Sequence, residues 1–177
     1  MTAPEDSDAL RRALQAKRES LLARQAEQRR QQQRVEAQES FARWHGAFLE
    51  QAGVRHVAHW DPPAHSPLAR YPIGFASVDW DRVSGAVRSG VAGGNGIAPL
   101  VDAAFAALAV PASCEVLVDW GVSSMPWLAM SAVDIATHAA ELSQWSSDLW
   151  IYDPLATWLI EVHHDGRVTY APRAAEE

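Results

Sequence analysis

Cysteine is almost absent from this chain. Cys114 stands alone, so an internal disulfide and a zinc site built on cysteines are both excluded. No stretch approaches the roughly 20 consecutive apolar residues that a membrane-crossing helix needs. The first 30 residues are charged and glutamine-rich and lack the apolar core of a secretory leader, so the cytoplasm is the expected compartment. Lysine does not recur after Lys17. No enzyme motif stands out, and no catalytic residue, cofactor or metal is expected. What is present is a chain of 177 residues, 48% hydrophobic and 21% charged, which is the composition of a globular protein rather than a disordered or fibrous one.

That average conceals two different parts. Residues 1–52 carry nine basic side chains against eight acidic ones, whereas residues 53–177 carry six arginines against fourteen acidic residues. The first part is close to neutral and the second has a net charge of −8. Seven of the eight tryptophans, all but Trp44, fall in the acidic part. The expected organisation is therefore a polar helical arm over residues 1–52 and an acidic, tryptophan-rich globule over 53–177.

The arm opens on Pro4-Glu5-Asp6-Ser7-Asp8, where negative charge favours a helix N-terminus. Gly46 is the single glycine over residues 9–52, which hold no proline and abundant Ala, Leu, Arg, Gln and Glu. A helix of ~40 residues would be about 60 Å long. Its apolar side chains gather at two ends: Leu10, Leu14, Leu21 and Leu22, then Phe41, Trp44, Phe48 and Leu49. The second group reads as one face docking on the globule. Between them, residues 23–34 contain no large apolar side chain, which interrupts any coiled-coil seam. A solvated helix, a partner-binding arm and self-association through residues 9–50 all fit this pattern. Arg29, Arg30 and Arg34 alternate with Glu27, Glu36 and Glu39, a balance too even for a phosphate-binding footprint.

In the globule, residues 56–71 hold Pro62, Pro63 and Pro67 and read as a loop. A short helix is predicted from Asp79 to about Ser89, capped by Ser77 or Asp79. The glycine run over residues 90–96 precedes an apolar helix over residues 99–108; without a Lys-Ser/Thr pair it is read as a turn, not a phosphate loop. Residues 114–120 alternate as a strand, and 130–144 show helical spacing. Residues 148–153 and 158–164 are β-rich runs, and Asp165-Gly166 signals a two-residue hairpin into a third strand at Arg167. The predicted fold class is α+β: helices packed on a mostly antiparallel sheet that ends in a three-stranded meander, with residues 114–120 as its fourth strand.

Candidate chemistry is sparse. His163 and His164 are adjacent on a predicted strand, so their side chains point to opposite faces and should not chelate one ion. Glu161 would share a face with His163, a spacing compatible with an acid–base pair but more often a cross-strand hydrogen bond. Gly121-Val-Ser-Ser-Met is not a nucleophile elbow. On the run Leu149 to Asp153, Trp150 and Tyr152 share one face. Helices are expected over one side of that strand, leaving the other as a binding surface.

The segment Trp150-Ile-Tyr-Asp-Pro-Leu-Ala-Thr-Trp-Leu-Ile-Glu-Val-His-His-Asp-Gly166 resembles the C-terminal strand–turn–strand of bacterial immunity-type proteins. Such proteins are encoded beside polymorphic, contact-dependent or secretion-system toxins and neutralise them by binding. The resemblance spans about 20 residues, through a Trp-Ile run, a turn, and Trp-Leu-Ile-Glu-Val-His-His-Asp-Gly. It implies an inhibitor that occludes a toxin's active site without turnover, and it transfers no set of binding residues.

The acidic charge agrees independently with a basic protein partner and disfavours nucleic acid. Neither residue pattern calls for a membrane. On these grounds Asp148, Asp153, Glu161 and Asp165, with Trp150 or Tyr152 as anchors, are the expected partner-binding residues. The rival expectation is an adaptor or chaperone of a secretion system that works through the arm.

Overall fold

A computed structural model describes residues 5–64, 71–74, 77–92 and 96–172, with side chains from Arg11 onward. Pro4, Pro67, residues 93–95 of the glycine run and the side chain of Leu10 lie outside the described residues. Helix α1 (Glu5–Phe41) continues through a π-helical turn (Ala42–Gly46) into α2 (Ala47–Gln51). Then come β1 (His56–His59), a 3-10 turn (Trp80–Arg82), β2 (Val87–Val91), α3 (Ile97–Ala107), β3 (Glu115–Asp119) and β4 (Trp127–Ser131). The chain ends with α4 (Ala132–Leu142), β5 (Leu149–Tyr152), β6 (Trp158–Val162) and β7 (Arg167–Pro172). The fold is α+β, as its sequence predicts.

All neighbouring strands are antiparallel, in the order β1-β4-β3-β5-β6-β7-β2. The predicted meander is β5-β6-β7, and β3 joins it through Val118 opposite Ile151. Three strands depart from the sequence reading. Residues 56–59, expected as loop, form edge strand β1. Residues 87–91, expected as the end of a helix and the start of the glycine turn, form the opposite edge, β2. Residues 127–131 precede a helix that begins two residues later than expected, and they form β4 between β1 and β3. Helix α4 starts where it does because Ser131 caps it, its hydroxyl oxygen accepting from Asp134 N at 3.2 Å.

The predicted helix from Asp79 shrinks to a single 3-10 turn. Asp79 makes no side-chain cap, Val83 is already extended, and the Trp80 indole is engaged across the sheet (below).

Two apolar layers sandwich the sheet. On one face Val116, Val118, Leu128, Met130, Ile151, Ile160 and Val162 pack with Val101, Phe105, Ile135 and Leu142 of α3 and α4. On the other, Leu117, Ala129, Trp150, Tyr152, Leu159 and Ala171 are covered by Tyr71, Val78 and Trp80 of the connection between β1 and β2. The face expected to be open is therefore closed, and by a loop rather than a helix. Aromatic rings contribute large buried areas to both layers.

The helical arm meets the globule at its C-terminal end. Phe41 and Leu49 are buried and Phe48 is half-buried, as expected of a docking face, but Trp44 is 67% exposed. The π-helical turn accounts for the difference. Its wider turn shifts the phase of the side chains, so Phe41, Gly46 and Leu49 point inward and Trp44 outward. The His45 ring packs against Trp145 in a tilted contact with centroids 4.2 Å apart, and Trp145 stacks in turn on Trp120 at 5.4 Å. Farther out, Arg34 forms a bidentate pair with Asp61 at 2.9 and 3.2 Å. Residues 11–36 are exposed except Ala26.

Candidate functional site

The six residues expected to contact a partner divide sharply by position. Asp148, Trp150, Tyr152 and Glu161 are buried, Asp153 is half-buried, and Asp165 is exposed. Asp153 follows β5 while Asp165 follows β6, so the two accessible carboxylates lie at opposite ends of the meander. The structure does not bring the six into one patch.

Glu161 serves the interior. Its Oε1 accepts from Val78 N at 3.1 Å and from Trp150 Nε1 at 2.7 Å, and its Oε2 accepts from Trp80 Nε1. Three donors from the strand and the covering loop thus converge on one buried carboxylate, and the hydrogen bonds compensate its desolvation. It does not pair with His163. A cleft of about 360 Å³ opens beside it, lined by Asp79, Asp81, Arg88, His163, Arg167 and Thr169 among others. Trp150 is fixed both by Glu161 and by Gly121, where a Cβ would stand 2.2 Å from the indole ring. Tyr152 is fully buried. Burial first, and the neighbouring Asp119 charge second, hold its hydroxyl protonated. Asp119 is itself pushed above the ordinary carboxylate range by burial, against the stabilising bond from Gly121 N at 2.7 Å. Trp127 Nε1 and the Tyr152 hydroxyl are buried without a well-formed hydrogen bond.

The densest group of ligating side chains lies just past the C-terminal end of β6. Here the sequence reading of the hairpin needs correction. A two-residue type I′ turn demands positive φ at both central residues, yet among the described residues only Ala109 and Ala156 are non-glycines with positive φ. Instead Gly166 N donates to His163 O at 2.8 Å and Gly166 takes φ of 85°. His164 and Asp165 are thus the centre of a longer turn closed by His163 N donating to Arg167 O. Strand β6 ends at Val162, so the two histidines are freed from strand alternation. Their rings are in contact and tilted, with centroids 3.8 Å apart and 39° between planes.

Asp148, just before β5, reaches this turn. Its Oδ1 accepts from His164 N at 3.0 Å and lies 3.2 Å from His164 Nδ1 and 3.9 Å from His163 Nε2. His163 Nδ1 lies 3.0 Å from Asp165 Oδ1 and 3.4 Å from Asp165 N. The shorter, charge-assisted contact assigns the proton to Nδ1. Asp165 is held below the usual carboxylate range, chiefly by Arg167 N donating to it at 2.9 Å and further by His163. A second cleft of about 210 Å³ adjoins the turn, walled by Ala140, Ser143 and Gln144 of the α4 end together with His163, His164 and Asp165. Sequence reasoning expected no such cluster because it kept both histidines on the strand; the Asp-Gly pair marked the turn but not its length.

No helix among the described residues is long and apolar enough to cross a membrane. No family model matches the chain, and comparison with curated proteins finds no match.

Proposed function

We propose that this chain is an immunity-type protein, which neutralises a cognate bacterial toxin by stoichiometric binding and occlusion of the toxin's active site. The observation that carries the reading is the acidic surface of the globule. Over residues 53–177 fourteen acidic residues stand against six arginines; Asp119, Asp148 and Glu161 are buried, whereas Asp81, Asp102, Glu115 and Asp165 are exposed. Such a field attracts and steers a basic protein and repels nucleic acid. The interface this favours uses exposed carboxylates around the globule; Trp150, Tyr152 and Glu161 support the fold beneath it.

Co-expression with the product of the neighbouring open reading frame tests the reading. A 1:1 complex that rescues growth from a toxic neighbour is the expected result. A harmless neighbour with which nothing co-purifies overturns it.

A specific observation favours a second reading, an adaptor that binds through the arm: Leu14, Leu21 and Leu22 are 59%, 49% and 51% exposed. The triple variant L14S/L21S/L22S separates the two. An adaptor loses its partner, whereas an inhibitor working through the globule keeps it.

A further inference from the structure

We propose that Asp148, His163 and His164 form a binding site for a divalent transition-metal ion of the zinc class, with Asp165 as the residue that orients His163. One nitrogen of each histidine and one Asp148 oxygen lie within 4.8 Å of one another. Two imidazoles and a carboxylate are the ligand set of many zinc sites, in which metal–ligand bonds of about 2.0–2.1 Å set ligand atoms about 3.3 Å apart. The Asp148–His164 separation of 3.2 Å already meets this, and the Asp148–His163 separation of 3.9 Å needs closure by well under 1 Å. His163, whose side chain is 28% exposed, has to supply that closure, because Asp148 is 6% exposed and fixed by the His164 backbone N–H.

The protonation pattern supports the same conclusion. With its Nδ1 proton directed at Asp165, His163 presents the Nε2 lone pair toward Asp148. A carboxylate behind a histidine in this way fixes the tautomer and raises the basicity of the ligating nitrogen, as in many metal sites. His164 Nδ1 and Asp148 Oδ1 face each other at 3.2 Å, a spacing that an Nδ1–H hydrogen bond fills in the free protein and that a divalent ion shared with His163 Nε2 would fill when bound. Three protein ligands would leave a fourth tetrahedral position for water or a partner's side chain, and the cleft walled by Ser143 and Gln144 adjoins both histidines. The site joins the start of β5 to the β6–β7 turn, so metal binding would also staple the meander.

The test is a titration of the full-length protein with Co²⁺, followed by its tetrahedral visible absorption, and then displacement by Zn²⁺. One ion per chain is expected, with displacement by stoichiometric Zn²⁺ and a rise in the thermal midpoint when Zn²⁺ is in excess. His163→Ala and His164→Ala should each weaken binding by at least tenfold, and Asp165→Asn by a smaller factor through the lost orientation of His163. His56→Ala/His59→Ala should bind as the parent does. Circular dichroism verifies folding of each variant. The deciding variant is His164→Ala, at an accessible position, so a failure of Asp148→Asn to fold would not obscure the result. Absence of the tetrahedral spectrum, or unaltered affinity in folded His164→Ala, overturns the proposal.

Discussion

Glu161 shows how a single side chain determines the second face of the sheet. Its carboxylate receives hydrogen bonds from Val78 N and from the indoles of Trp80 and Trp150, so it ties the covering loop to β5 and β6. Truncation would leave three buried donors unsatisfied, at about 1–3 kcal/mol each where the site cannot admit water. Glu161→Gln keeps one acceptor oxygen but directs an amide N–H against a donor. Urea unfolding followed by tryptophan fluorescence should therefore show Glu161→Ala to be destabilised by about 3 kcal/mol or more, and Glu161→Gln by about 1–3 kcal/mol. Midpoints equal to the parent's in both variants would remove the carboxylate from this role. Gly166 is the other residue on which local geometry depends. With φ of 85° and a Cβ that would fall 1.7 Å from Ala92 O, Gly166→Ala must displace the chain at Ala92 or open the turn. A loss of stability above the roughly 1–2 kcal/mol of the left-handed conformation alone is expected, with the His163–His164 ring contact disrupted in histidine proton resonances.

At the level of elements, the docking of the helical arm depends on a titratable ring. His45 lies between Phe41 at 5.8 Å and Trp145 at 4.2 Å, and burial lowers its pKa below the ordinary value. The neutral ring is thus the form suited to the folded state, and the unfolded chain binds the proton more readily. The stability associated with it is present above about pH 6.5 and declines as pH falls through the histidine range. His45→Phe should flatten the pH dependence of the unfolding midpoint between about pH 7 and 5, and an unchanged profile would show that acid lability arises elsewhere. The same elements show what a sequence discloses. The helical arm was legible from its helix-forming composition, and α3, β3 and the meander from an apolar period or a turn signal at their ends. Strands β1, β2 and β4 were not. His56–His59 and Val87–Val91 are short edges with mixed polarity, and Trp127–Ser131 is a central strand whose interior is buried on both sides, so alternation is lost. The site residues followed the same logic: their types were visible, but the burial of Trp150 and Tyr152 depended on a covering loop from about 70 residues earlier in the chain, which no local period announces.

Across the whole molecule, charge is divided as unevenly as structure. The arm is nearly neutral and the globule carries −8. Local ion pairs do not cancel that field: Asp81 with Arg88 at 2.8 Å and Asp165 with Arg167 at 3.3 Å are exposed pairs, individually of little energetic value. The excess must therefore act at long range, and long-range steering is screened within about 8 Å at physiological ionic strength. An acidic inhibitor of a basic partner should accordingly associate fast at low salt and lose most of that advantage in high salt, while its dissociation changes little. Asp102, Glu115 and Asp165 are exposed carboxylates on α3, β3 and the hairpin turn, so D102N/E115Q/D165N removes three charges without touching the core. For the complex with the proposed toxin, stopped-flow mixing should show association slowed several-fold at low ionic strength and a shallower dependence of its rate on salt. D102N/E115Q alone should leave the unfolding midpoint close to that of the parent, since substitutions at such surface positions generally act within about 0.5 kcal/mol, whereas D165N also weakens the bond from Arg167 N that holds the turn. An association rate that ignores both salt and the three substitutions would show that the acidic surface serves solubility, and would transfer the search for an interface to the exposed leucines of the arm.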